Sequence, residues 1–183
     1  MEISQAIKQR RTIHLFSKTR VPKEVIKRSI VAANHAPCHR RTFPWRFTSL
    51  GMNKRELLCK LQLSLKFGEK PIDKLNYKKI KDKILNPSHL LVASQVSTDN
   101  QVQKLEDYAA CACAIQNLSL SLVEDGVGYK WSTGKITTDS NTYQIAEINP
   151  SEEEIIGFIW IGYGIEPPLI TRPPLNTVYR ERD

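Results

Sequence analysis

Glycine is scarce in this 183-residue sequence: there are eight, and they form neither GxGxxG nor GxxxxGK followed by Ser or Thr. Nucleotide binding by a glycine-rich loop whose backbone cradles phosphates is thereby discounted. Any phosphate held by this chain must be held by side chains. Cysteine is sparse too, with Cys38, Cys59, Cys111 and Cys113 the only four. The start, MEISQAIKQRR, lacks the apolar core of a secretory signal, and no apolar run is long enough to span a bilayer. These absences point to a reduced, cytoplasmic protein without a membrane segment. No internal repeat is present, so at this length and 40% hydrophobic content one domain over 1–183 is expected. Pro167, Pro168, Pro173 and Pro174 gather among polar residues, which predicts an extended C-terminal arm from about residue 167.

Negative charge is in deficit: 27 lysines and arginines face 19 acidic residues, for a net charge of +8. That field attracts anions of any kind, whether nucleic acid, a charged small molecule or an acidic surface.

What is present reads as alternating helices and strands. Met1 to Gln9 has Ile3, Ala6 and Ile7 on one helical face and runs into Arg10, Arg11 and Thr12. Pro22 suits a first helical position, and Val25, Ile26, Ile30 and Ala33 continue at helical spacing until Pro37. Trp45 to Leu50 reads as a strand closed by Gly51, followed by a helical stripe of Leu57, Leu58, Leu61 and Leu65. Lys74 to Leu85 predicts a helix whose lysines spread around the axis as a solvated face. Leu90 to Val96 is a buried strand. A long helix from about Asn100 to Asp125 is closed by Gly126, and its centre, AACACA, lets other backbones approach closely, as in a tight core or a dimer interface. Tyr129 to Trp131 and Ile155 to Gly162 complete about four strands, an α+β layout with helices packed on a small mixed sheet.

The stretch HAPCHRRTFPWRF offers His35, Cys38 and His39 at ligand spacing, but Pro37 breaks the helical face that would align them, and no fourth ligand motif accompanies them. No metal site is expected. Arg40, Arg41, Arg46 and the lysines between Lys66 and Lys83 form an electrostatic footprint suited to nucleic acid. No finger, helix-turn-helix or RNA-binding aromatic signature goes with it, and a solvated basic face explains it equally. Cys38 beside His39 has no third orienting group, which argues against a catalytic thiolate. Arg10 and Arg11 suit a phosphate, because a guanidinium makes bidentate, permanently charged contacts, and the Thr12 hydroxyl adds a neutral bond. A surface arginine pair is the alternative.

Five segments in order resemble the FMN-dependent nitroreductases, above all their short single-domain NAD(P)H nitroreductase subgroup: RRTIHLF, AANHAPCHRRTFPWRF, DYAACACAIQNLSLSLVEDGVG, KWSTG and EIIGFIWIGYG. The resemblance covers nearly the whole chain. It implies a nitroreductase-like α+β fold with a small mixed or antiparallel sheet of about four to five strands, and a homodimer joined through the long helix with FMN at the interface. It implies that Arg10, Arg11 and Thr12 contact the flavin, that His35 and His39 reach it from the partner subunit, and that Trp131, Ser132 and Thr133 complete the pocket. The implied chemistry is ping-pong hydride transfer from NADH or NADPH, through flavin N5, to an electron-poor acceptor such as a nitroaromatic or quinone. The flavin carries the redox step, so no protein acid, base or nucleophile is assigned.

The chain departs from the family pattern at His14 and Ser132, where arginine is common, and at His39, where many members carry asparagine. Arg172 in TRPPL is a loose match to a C-terminal phosphate-binding arginine. Two alternatives remain on the sequence: a flavin-binding relative with little turnover, and a basic nucleic-acid-binding module.

Overall fold

The computed structural model describes residues 1–182; Asp183, the last residue of the domain expected over 1–183, lies outside the described residues. In chain order the elements are α1 (Ile3–Gln9), α2 (Lys23–Asn34), β1 (Trp45–Ser49), α3 (Met52–Phe67), α4 (Lys74–Leu85), β2 (His89–Val96), α5 (Gln101–Glu124), β3 (Gly128–Ser132), α6 (Lys135–Thr138), α7 (Ser140–Ala146), β4 (Glu153–Gly162) and α8 (Leu175–Val178). Local chemistry sets several of these ends. The Asn100 side chain accepts from the Val102 and Gln103 N–H groups at 3.1 and 3.0 Å, capping α5, and Asp73 caps α4 by accepting from Asn76 N–H at 2.9 Å. Gly126, at φ +67°, turns the chain out of α5 in the left-handed conformation that glycine adopts without strain.

The strands form one sheet in the order β1-β2-β4-β3, every pair antiparallel. The mixed alternative is therefore corrected: parallel pairing is confined to a bridge between Thr12 and Tyr129. The central strands β2 and β4 are buried along most of their length, which is why they read as continuous apolar runs. Their side chains divide between two helical layers. Leu91, Ala93, Ile159 and Ile161 pack with Ala33 of α2 and with Ala110, Cys111, Ala114, Leu118 and Leu122 of α5. Leu90, Val92, Phe158 and Trp160 pack with Leu58 and Leu63 of α3, Ile80 and Ile84 of α4, and Ile136 and Ala146 beyond β3.

One expectation shifts. The buried face of α3 is Arg55, Leu58, Cys59 and Leu63, with Leu57 and Leu65 exposed, because that face must meet both the sheet and α4. Lys83 is exposed, as expected of a solvated face, and it also borders a cavity. The small-residue centre of α5 buries Ala110, Cys111 and Ala114 and leaves Ala109 and Cys113 exposed. Past Pro168 the described chain is exposed, with α8 its only helix and Leu169, Leu175 and Val178 open to solvent. Among the described residues, no helix is long and apolar enough to cross a membrane.

Candidate functional site

Strand β3 organises the site by its alternation. Tyr129 and Trp131 face α5 and its layer, while Ser132 faces the opposite layer, where its Oγ accepts from Trp160 Nε1 at 2.8 Å. The chain then turns through Thr133 and Gly134 into α6, where the Thr137 N–H and hydroxyl both donate to Gly134 O. This turn and α3 and α4 enclose a cavity of about 430 Å³ whose polar lining includes Gln62, Lys66, Lys83, Ser132, Thr133 and Lys135. Among the described residues, no carboxylate lines it.

The cavity is strongly cationic. Burial lowers the pKa of Lys83, and the like charges of Lys130 and Lys66 lower it further. Burial lowers Lys130 as well, and its Nζ lies 3.2 Å from His14 Nδ1. Among the described residues, Lys66, Lys83, Lys130 and Lys135 form no ion pair. Lys66, Lys83 and Lys135 are exposed and Lys130 is half-buried, and like charges crowded without a carboxylate partner among the described residues attract an anion.

Arg10, Arg11 and Thr12 run beside the start of β3. Ile13 N–H donates to Tyr129 O at 2.9 Å, and Thr12 bridges Tyr129. Arg10 Nη1 donates to Tyr129 Oη at 3.2 Å, its guanidinium carbon 5.7 Å from the ring centroid. Arg11 folds back, donating to Arg10 O at 2.9 Å and to Lys8 O. Trp131 Nε1 donates to Ile156 O at 3.3 Å, and its ring is tilted against Tyr108 with centroids 6.2 Å apart. Arg10 and Thr12 thus lie against Tyr129 near the start of β3, while Trp131, Ser132 and Thr133 lie at its end; of the predicted residues only Ser132 and Thr133 line the lysine cavity, and Arg11 borders a separate groove with Gln9 and Gly128.

It does not bring the two histidines there. His35 is exposed at the end of α2, bordering a groove with Ala6, Asn117 and Glu124. His39 Nε2 lies 3.9 Å from Glu106 Oε1 and is mostly exposed. Neither lines the lysine cavity of its own protomer. Nearby, Cys38 is tied to the loop: burial pushes its thiol up, but a hydrogen bond with Thr42 and one from the Phe43 N–H outweigh that and hold it below the ordinary thiol range. The single Thr42 hydroxyl proton is contested between Cys38 Sγ and the buried Asp107 of α5, whose Oδ1 lies 2.6 Å away. Arg172 is exposed in the tail.

On the far side of Thr133 a second cavity, of about 540 Å³, opens between β2, β4 and the start of α5. Gln95 reaches it, with Nε2 donating to Glu154 Oε2 at 3.1 Å, and Glu154 also pairs with Lys104 at 2.8 Å. Among the described residues, Gln95 Oε1 is buried without a hydrogen-bond partner, a deficit that costs about 1–3 kcal/mol.

Sequence reasoning missed Lys130, Lys135 and Gln62, and it read Lys66 and Lys83 as part of a basic footprint or a solvated face rather than as cavity residues. Lys130 left one trace, a lysine inside the otherwise apolar strand GYKWS. Lys83 left none, since only the packing of α4 on α3 distinguishes it from the other lysines of its helix.

The sequence model of the Nitroreductase family matches residues 7–163. A Bacillus subtilis (strain 168) protein named "Putative NAD(P)H nitroreductase YfhC" is 33% identical over 181 residues, covering 96% of this chain and 91% of that one. The crystal structure of a nitroreductase-like family protein from Bacillus cereus superposes with a TM-score of 0.83 at 24% identity, covering 100% of this chain and 97% of that one. That of a nitroreductase with bound FMN from Bacteroides fragilis NCTC 9343 gives 0.72 at 20% identity, with 96% and 95% covered. At these identities the two structures share the fold.

Proposed function

The chain belongs to the nitroreductase family, and from that premise we propose that it is an FMN-dependent oxidoreductase passing hydride from NADH or NADPH to an electron-poor acceptor such as a nitroaromatic or quinone. The observation that carries this reading is the unpaired lysine cluster, Lys66, Lys83, Lys130 and Lys135, around the Ser132–Gly134 turn. FMN fits such a site: it brings a phosphate, and on reduction its ring gains negative charge.

Bound FMN would supply the hydride acceptor and donor at N5. The chain's own residues have other tasks. Lys83 and Lys130 would stabilise the anionic reduced form through their positive charge. Arg10 and Arg11 would hold the phosphate by charged hydrogen bonds, with Thr12 as a neutral donor. Trp131, Ser132 and Thr133 would form the wall behind the ring. Ser132 already accepts from Trp160, so its hydroxyl is held in place.

We assign the working form as a cytoplasmic homodimer built on a single domain, with the arm from about residue 167 reaching outward. Support for the dimer comes from the exposed small face of α5, at Ala109 and Cys113, and from the exposed Ile3 and Ile7 of α1. His35 and His39, absent from their own protomer's cavity, would then serve the partner's.

The test is direct. Purified protein is expected to be yellow, to release FMN on heating, and to bleach anaerobically with NADH or NADPH. A colourless protein that refuses added FMN refutes the flavin reading. A yellow protein that neither donor bleaches is a flavin binder without this turnover.

A further inference from the structure

We propose that the outer face of the α3–α4 hairpin is a docking surface for an anionic phospholipid membrane. Residues 52–85 hold ten lysines and arginines against four acids, Glu56, Glu69, Asp73 and Asp82, so the hairpin carries +6 of the chain's net charge of +8. Arg55 is buried against the end of α4, and Lys54 pairs with Glu147 at 2.7 Å. The other eight are all lysines. Every one is exposed, and among the described residues none forms an ion pair.

Spacing gathers this charge. Lys74, Lys78 and Lys81 recur at i, i+4 and i+7 and share one stripe of α4, and Lys81 lines a groove with Lys60 of α3. Leu75 and Tyr77 adjoin the stripe, Leu57 is one turn from Lys60, and all three are exposed.

The charge alone suits any polyanion; the composition selects among them. Nucleic acids and acidic proteins are gripped best by arginine, whose planar fork pairs with phosphate or carboxylate bidentately, and no arginine is exposed on the hairpin. Lysine interleaved with leucine and tyrosine fits the headgroup layer of a membrane instead. The ammonium groups reach lipid phosphates while the apolar side chains enter the acyl boundary. A nucleic-acid backbone offers the exposed leucines nothing.

The hairpin covers the sheet face opposite α5, so a dimer joined through α5 leaves it outward. Lys66 and Lys83 of the same two helices border the lysine cavity, which would hold that cavity near the membrane surface and within reach of a lipid-soluble quinone. This consequence rests on the flavin reading, whereas the docking does not.

Co-sedimentation of the full-length protein with phosphatidylglycerol-containing vesicles, and with vesicles of phosphatidylcholine alone, tests the assignment. Binding is expected on the anionic vesicles only, weakening as salt rises. The triple variant Lys74→Gln, Lys78→Gln, Lys81→Gln should weaken it more than tenfold, at about fivefold per lysine. The same charge change at the exposed Lys18, Lys23 and Lys27 should have little effect. Leu57→Ser with Leu75→Ser should weaken vesicle binding severalfold at unchanged Tm, and it serves if the lysine variant fails to fold. Equal binding to both kinds of vesicle, equal loss in the two lysine triples, binding indifferent to the leucines, or complete displacement from the vesicles by an equal charge of oligonucleotide or polyglutamate would each overturn the proposal. Flavin-stripped protein separates the two readings: full vesicle binding by a protein that cannot rebind FMN sustains the docking and removes the flavin.

Discussion

Trp131 occupies the space that a side chain at Gly157 would need: a Cβ placed on Gly157 falls 2.2 Å from Trp131 Nε1. The pairing of β2 with β4 shifts register at this point, Ala93 facing Gly157 and Ser94 facing Ile155. Ile156 is thus the extra residue, and its carbonyl accepts from Trp131. The bulge and the bare glycine together seat the tryptophan behind the Ser132–Gly134 turn. Gly157→Ala should cost about 1–3 kcal/mol from overpacking, with more from a backbone at φ +155° that alanine rarely adopts. Urea unfolding measures this, and a wild-type midpoint would mean that Trp131 yields without cost.

Arg10→Ala and Arg11→Ala should each weaken FMN binding by about 1.5–3 kcal/mol, the worth of a hydrogen bond to a charged group. Arg10 is also held by Tyr129 Oη, so Tyr129→Phe separates positioning from contact. It should cost less than Arg10→Ala, since the guanidinium remains. Titration of flavin-stripped protein reads all three, and unchanged affinity in both arginine variants would take them out of the site.

The lowered pKa values of Lys83 and Lys130 make anion binding pH-dependent in one direction. An anion in the cavity favours their charged forms and raises those pKa values again, so binding takes up protons between the free and the bound values. Affinity should be level below the free values and fall as pH rises through them, within the range below the ordinary lysine value of 10.5. Calorimetry in buffers of different ionisation heat should show proton uptake at alkaline pH. Lys83→Gln should abolish part of it and make the flavin potential more negative, because the anionic reduced form loses a counter-charge.

Arg55 holds the end of α4 in place. Only 2% exposed, it donates to Ile84 O at 2.9 Å and to Pro87 O at 2.8 Å, satisfying carbonyls at and just beyond the helix end. Arg55→Met keeps most of the bulk and should cost about 1–3 kcal/mol for each carbonyl left without a donor. It should also weaken FMN binding, since Lys83 adjoins Ile84. A destabilised variant with normal FMN affinity would separate the cap from the site.

Much of this architecture is local and therefore legible in the sequence. The stop at Gly126 and the apolar runs of β2 and β4 depend on neighbouring residues, and α4, α5 and the four strands lie within about two residues of their expected bounds, whereas α3 begins five residues before its leucine stripe. The three short helices after Gly134, α6, α7 and α8, escape the sequence because none has enough turns for a helical period to show. The site divides the same way. RRT and KWST are contiguous and stood out, whereas the lysine cluster joins Lys66, Lys83 and Lys130 from three separate elements, and only the tertiary packing reveals that it exists. The Gln95 acceptor lay further out of reach, since its lack of a partner is a property of the packed core.

Cys113 tests where two protomers would meet. Buried Cys111 has its thiol pushed up to about 12, and burial raises Cys59 as well, so both should resist alkylation in the native protein. Cys38 should react, because its hydrogen bonds hold the thiol below the ordinary range. Cys113 is exposed on a single protomer and should react too if the chain is a monomer. A dimer packed through the small face of α5 buries it, so native protein would label at Cys38 alone and Cys113 would react only after unfolding. Cys113→Trp should then shift the protein from dimer to monomer in sedimentation and release FMN, since the partner's His35 and His39 leave with it. Rapid native labelling of Cys113, or a Cys113→Trp variant that remains dimeric and yellow, would place the interface on another surface.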